Sequence, residues 1–143
     1  MATDLHVDLT QDLPRPPEHV FHAIVDPVKM ADYFITRASG PMVAGTTVTW
    51  WFDDVGIQLE VTVTEIVEPR RIAFSWPATG APTDVVIELA SDGDTGTTVH
   101  ITETGWPRDD AGIAAALGQT RGWTDFLCCL KASIVFGVDL RRA

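Results

Sequence analysis

A single change in the spacing of apolar residues constrains the fold of this chain most. Between residues 47 and 101 apolar and polar side chains alternate, which is the two-residue period of strands with one buried face. Between Ile113 and Val138 the apolar residues recur every three or four positions, a stripe of about seven helical turns. A helix with one apolar stripe must bury it, and the sheet is the only large partner that this sequence provides.

Prolines and turn residues divide the chain into elements. Pro14, Pro16 and Pro17 end a first alternating segment, and Pro17 suits the first turn of a helix because it lacks an N–H. The predicted strands cover residues 5–10, 47–52, 57–64, 72–76, 85–89 and 99–101. Two short helices are predicted at 18–25 and 28–34, before the long one at 113–138. The pattern predicts an α+β fold: an antiparallel sheet of about six strands, two short helices after strand 1, and a long C-terminal helix.

Length and charge limit what this chain binds. Its 143 residues suit one domain over 1–143, and no linker or repeat indicates a second. The net charge of −10 disfavours nucleic acid and anionic membrane surfaces as partners. The sequence does not open with a charged segment followed by an apolar run, and its two cysteines are adjacent. We therefore expect a reduced, cytoplasmic protein.

Several short motifs occur in a characteristic order along the chain. They are PPEHVF at 16–21, IVDP at 24–27, EIVEPRRI at 65–72, FSW at 74–76, GTTV at 96–99, TETG at 102–105 and GWT at 122–124. In these motifs the sequence resembles the SRPBCC or START-like superfamily, in the branch related to the activator of the heat-shock-chaperone ATPase. The resemblance implies a helix-grip fold of the Bet v 1-like or START-like type, in which a curved sheet wraps around the C-terminal helix.

The same resemblance implies less about activity than about fold. Helix-grip proteins include cyclases, lipid carriers, hormone receptors and co-chaperones. The co-chaperone members carry an additional N-terminal chaperone-binding domain, and a chain of 143 residues has no room for it. A chaperone partner is therefore not favoured.

The resemblance also implies a cavity between sheet and helix, lined by inward-facing residues. The predicted lining residues are Phe34, Trp50, Phe52, Leu59, Val61, Phe74, Trp76, Ile87, Ile101, Glu103, Trp123 and Leu127. The alternative is that the aromatic residues among them fill an ordinary core by packing on each other. Trp50 and Trp51 are consecutive in a strand and must face opposite sides, which leaves open which one faces inward. The outward one could mark a homodimer contact.

Few polar residues are placed where they could do chemistry. Glu103 shares the parity of Val99 and Ile101, so it points to their apolar face unless its head reaches water at the end of the strand. It is the one weak candidate for a catalytic group, able to bind or deprotonate a ligand. His19 and His22 are three apart on a helix, but no third ligand accompanies them, so no metal is expected. No cofactor motif is present, and no cofactor is expected.

These observations favour a protein that holds a small apolar molecule over an enzyme. Such a protein predicts a largely apolar cavity of more than roughly 300 Å³. One alternative is an enzyme of the polyketide cyclase or dehydratase type, which needs two or more converging polar groups in the cavity. Another is a co-chaperone-like regulator of a heat-shock chaperone ATPase, which predicts an exposed apolar or charged patch and little free volume.

Overall fold

The computed structural model describes residues 5–142 and has an α+β architecture. Within those residues the strands are β1 (His6–Leu13), β2 (Arg37–Ala38), β3 (Thr47–Phe52), β4 (Ile57–Val67), β5 (Arg71–Thr79), β6 (Ala81–Asp92) and β7 (Gly96–Thr104). The α-helices are α1 (Pro17–Val25), α2 (Pro27–Met30) and α3 (Asp110–Phe136). Short 3-10 turns lie at Asp53–Val55 and Leu140–Arg142. Among the described residues, none of the helices combines the length and the apolar character needed to span a bilayer.

The strands form one antiparallel sheet in the order β1-β7-β6-β5-β4-β3-β2. Consecutive strands from β3 to β7 are joined by short turns. The last strand, β7, pairs with the first, β1, along the whole length of β1. The predicted helix-grip fold is confirmed. The sheet has seven strands among the described residues rather than about six, because β2 is two residues long and too short to leave a two-residue period in the sequence.

The buried face of α3 differs from the predicted stripe in its first turns. Ile113 and Leu117 are 46% and 66% exposed. In these first turns the row that is turned inward is shifted by one position, about 100° around the helix, to Gly112, Ala116 and Gln119. From Trp123 onward the predicted stripe is confirmed, because Trp123, Leu127 and Leu130 are buried. The helix also ends at Phe136 rather than at Val138, because Gly137 adopts a left-handed conformation with φ of 66°.

The second short helix begins and ends earlier than predicted. It covers Pro27–Met30, and the side chain of Asp26 caps it by accepting a hydrogen bond from the backbone N–H of Val28 at 2.9 Å. The chain then turns through Tyr33 and Phe34. This turn matters for the site described below, because it delivers Phe34 to the space between sheet and α3.

Tyr33, the one tyrosine of the sequence, provides a test of packing on this side of the molecule. Its ring is 1% exposed, and its hydroxyl donates to the carbonyl oxygen of Ala23 at 2.9 Å. Burial, with a smaller effect of the Asp32 charge, raises the pKa of Tyr33 well above its usual value of 10.0. The stabilisation linked to Tyr33 is therefore complete below pH 10 and is lost as the pH rises through the folded-state pKa.

We expect the tyrosinate absorbance of the folded protein not to appear near pH 10, and to appear there after denaturation. Spectrophotometric titration with circular dichroism as a folding control measures both. A tyrosinate signal with an ordinary midpoint in protein that is still folded would contradict the buried position of Tyr33.

Candidate functional site

A largely apolar cavity of about 230 Å³ lies between α3 and one end of the sheet. Its lining residues are Phe34, Phe52, Val55, Ile57, Leu59, Trp76, Ala78, Gln119, Gly122 and Trp123. Within this lining, Gln119 is the one residue with a polar side chain, apart from the indole N–H groups of the two tryptophans. The volume is smaller than the roughly 300 Å³ expected from the sequence. A cavity of about 150 Å³ holds benzene, so this one has room for one or two small rings.

Two neighbouring hairpins build the sheet side of this cavity. In the β3–β4 hairpin Phe52 pairs with Ile57 and Trp50 pairs with Leu59, so all four side chains share the inner face. Trp76 and Ala78 share one face at the end of β5, next to the turn into β6. Both turns lie at the same end of the antiparallel sheet, and the first half of α3 crosses it there.

The structure settles which of the two consecutive tryptophans faces inward. Trp50 is 2% exposed and stacks edge-on against Phe74 and Trp76, with ring centroids 5.5 and 5.9 Å apart. Trp51 lies on the outer face, where the guanidinium carbon of Arg37 is 4.0 Å from its ring centroid. Its indole N–H donates to Gln58 Oε1 at 3.1 Å.

The predicted lining residues divide into three groups. Those at the cavity wall are Phe34, Phe52, Leu59, Trp76 and Trp123. Those packed in the adjoining hydrophobic core are Trp50, Val61, Phe74, Ile87, Ile101 and Leu127. Glu103 lies behind the wall, against Trp76 and Trp123. The division arises because the strands are longer than the cavity, so only residues near the β3–β4 and β5–β6 turns reach it, and aromatic packing fills the rest.

Sequence reasoning missed part of the wall. The additional lining residues are Val55, Ile57, Ala78, Gln119 and Gly122. A signal for Gln119 was available, because it lies one helical turn before Trp123 and must share its face. Val55 belongs to a turn, and its position follows from no periodic pattern.

Glu103 is fully buried, with 0% of its surface exposed, and its carboxyl group accepts four side-chain donors. Trp76 Nε1 and Thr83 Oγ1 donate to Oε2 at 3.1 and 2.6 Å. Trp123 Nε1 donates to Oε1 at 2.7 Å. The Gln119 Nε2 atom lies 3.0 Å from Oε1 and 3.3 Å from Oε2. Among residues 5–142, no cationic side chain forms an ion pair with this carboxylate.

The chemistry of these partners explains why a carboxyl group lies at this position. An indole N–H can only donate, and an amide NH₂ can only donate, so three of the four partners require an acceptor. The two carboxyl oxygens of Glu103 have enough lone pairs to accept from these three partners, and Thr83 Oγ1 lies within hydrogen-bond distance as well. The network also joins α3 to β5, β6 and β7, because its members lie on those elements. We infer that Glu103 fixes the helix to the sheet and holds Trp76, Trp123 and Gln119 in position at the wall.

The histidines of α1 do not gather further ligands. His22 Nε2 lies 3.2 Å from Glu68 Oε1, on the surface. In the part of the chain that the structure describes, no group of three or more His, Cys, Asp or Glu side chains is arranged to hold a metal ion.

Solved structures similar to this chain share its fold over nearly the whole length. The protein SSP2350 from Staphylococcus saprophyticus is 28% identical, with a TM-score of 0.84, covering 96% of this chain and 97% of its own. DynU16, a putative protein in the dynemicin biosynthetic locus, is 26% identical with a TM-score of 0.81, and 94% of this chain matches 49% of that one. The Aha1 dimer from Colwellia psychrerythraea is 19% identical with a TM-score of 0.78, covering 92% and 97%.

Sequence comparison adds the family. Among curated proteins no sequence matches this chain closely enough to count as a relative. The sequence profile of the family described as "Activator of Hsp90 ATPase homolog 1-like protein" matches residues 14–134, which include α1, α2, most of α3 and every strand except β1. The chain belongs to the Activator of Hsp90 ATPase homolog 1-like family.

Proposed function

We propose that this chain binds a small, largely apolar molecule in the cavity between the sheet and α3. The observation that carries the proposal is the cavity itself: about 230 Å³, walled by four aromatic rings and by aliphatic side chains. Apolar pockets with a few placed polar groups are the usual form of small-molecule sites. By comparison with a benzene-sized cavity, the occupant has about six to twelve non-hydrogen atoms.

The polar groups near the cavity favour binding over reaction. A cyclase or dehydratase needs an acid or base within hydrogen-bond reach of the substrate. Glu103 is the carboxyl group of the network, but it does not line the cavity, and its two oxygens already accept four donors. It is a positioning residue in this proposal and does not contact the occupant.

Gly122 offers a direct way to close the cavity. It lines the wall, and a Cβ atom built there meets nothing within 4 Å, so a side chain can start from this position without a clash at Cβ. Gly118 lies one turn earlier on α3 with equally open surroundings and is outside the lining. Both replacements remove a helical glycine and have similar effects on helix propensity.

We expect Gly122→Leu to weaken binding of small aromatic probes at least tenfold, because the leucine occupies the cavity or its opening. Gly118→Leu should leave binding unchanged. Calorimetric titration with indole and naphthalene measures both variants against the unmodified protein. Equal affinities in all three proteins, or no binding in the unmodified one, would sink the proposal.

A second candidate function is regulation of a heat-shock chaperone ATPase. It is favoured by the family description and by exposed apolar residues where α3 ends: Phe136, Val138 and Leu140 are 71%, 43% and 44% exposed. This candidate predicts that the chain stimulates a chaperone ATPase, that Phe136→Ser reduces the stimulation, and that Gly122→Leu does not. Homodimer formation stays a prediction, since the outward Trp51 is engaged by Arg37 and Gln58 of its own chain.

A further inference from the structure

We infer that the occupant of the cavity is a small aromatic molecule that carries one N–H or O–H donor and no negative charge, and that Gln119 selects it. The inference rests on the proposed function and names the chemical class that this site accepts. Its basis is the orientation of the Gln119 amide group, which is held by hydrogen bonds to Glu103.

The orientation of Gln119 follows from the chemistry of its partner. Gln119 Nε2 donates to Glu103 Oε1 and Oε2 at 3.0 and 3.3 Å, so the NH₂ end of the amide faces Glu103. The carbonyl oxygen, Oε1, is then turned away from the carboxylate. Within residues 5–142, the side chain of Gln119 makes no hydrogen bond other than these to Glu103. Because Gln119 lines the cavity, its free acceptor is available to an occupant.

The other polar atoms at the wall are already engaged. The indole N–H groups of Trp76 and Trp123 both donate to Glu103. The wall therefore offers an acceptor to its occupant and no free side-chain donor. A carbonyl compound gains no hydrogen bond from these side chains, whereas a phenol, an indole or an aromatic amine donates to Gln119.

Charge excludes the acidic members of the same size class. The lining contains no cationic side chain, and moving an anion from water into an apolar space costs free energy unless it is paired there. An anionic occupant such as a benzoate would lose its hydration in the cavity without gaining an ion pair. Aromatic walls suit flat rings, which pack against Phe34, Phe52, Trp76 and Trp123.

A matched pair of probes tests the inference. Indole and benzothiophene have nearly the same shape, but only indole carries an N–H donor. Gln119→Met removes the acceptor at similar length and leaves three donors on Glu103, so the network retains most of its bonds. Calorimetry on both proteins gives the indole-to-benzothiophene affinity ratio. We expect this ratio to fall about tenfold in Gln119→Met, as for loss of one hydrogen bond.

The outcomes separate this inference from the function on which it rests. If both probes bind and the ratio is the same in the two proteins, Gln119 selects nothing and the inference is overturned, while the binding function stands. If neither probe binds the unmodified protein, both fall. Should Gln119→Met fail to fold, the proton shift of ¹⁵N-labelled indole bound to the unmodified protein decides: a downfield N–H signal supports the hydrogen bond, and an unshifted signal overturns it.

Discussion

Glu103→Gln is expected to lower the free energy of unfolding by about 2–4 kcal/mol, although it preserves the shape of the side chain. An amide at this position has one oxygen and one NH₂ group. If the NH₂ replaces Oε2 it opposes the indole N–H of Trp76, and if it replaces Oε1 it opposes that of Trp123. Thr83 and Gln119 can reorient, but an indole N–H cannot accept. One buried donor is left without a partner in either arrangement.

Denaturant unfolding compares this variant with Glu60→Gln, an exposed strand glutamate of β4 that should change stability by less than about 0.5 kcal/mol. A double-mutant cycle sharpens the test. Trp123→Phe should cost about 1–3 kcal/mol in the unmodified protein, because a buried hydrogen bond to Glu103 is lost, and clearly less when Glu103 is already glutamine. Additive effects of the two changes would contradict the network.

Gly112→Ala is expected to destabilise the protein by about 3 kcal/mol, although alanine is the better helix former. A Cβ atom at Gly112 would overlap the carbonyl oxygen of Pro107 and lie 3.0 Å from its carbonyl carbon. It would also lie 3.3 Å from Asp109 Oδ1, which caps α3 by accepting from the Gly112 N–H at 2.8 Å. The first turn of α3 must therefore move, and the cap is weakened with it.

Gly118→Ala provides the matched control on the same helix. A Cβ atom there meets nothing within 4 Å, so the variant should gain up to about 1 kcal/mol from helix propensity. Thermal or denaturant unfolding of the two alanine variants gives opposite signs in this account. A stabilising effect at Gly112 would show that the start of α3 is less closely packed than the structure has it.

The sequence predicts the architecture well because the spacing of apolar residues defines which face of each strand or helix must be buried, and burying those faces brings the elements together. The alternation of Ile57, Leu59, Val61 and Val63 predicts a strand with one buried face, and β4 is that strand. The stripe of α3 predicts a helix that packs on the sheet. Its exact face is less certain from the pattern, since Ile113 and Leu117 are apolar but exposed. When many residues of a helix are apolar, the three-and-four spacing is nearly the same for two adjacent faces, so it does not decide which of them is buried.

The candidate site is less predictable, because its position depends on where along the strands the close-packed core ends and the cavity begins. Phe74 and Trp76 share a face of β5, yet Phe74 lies in the core and Trp76 lines the cavity. Parity indicates the side of the sheet and says nothing about the distance to its end. Gln119 is a polar residue on the inward face of α3, where the spacing of apolar residues shows only a gap in the stripe. Its role follows only from the side chain that it meets, and Glu103 is 16 residues away in sequence.

The central claim is that the cavity holds a small aromatic or otherwise apolar molecule, and native mass spectrometry of protein purified from its own host tests it most directly. We expect one bound species, of the order of 100–200 Da, on the unmodified chain and on Gly118→Leu. We expect Gly122→Leu to be empty. An empty unmodified protein, or the same adduct on all three proteins, would contradict the account.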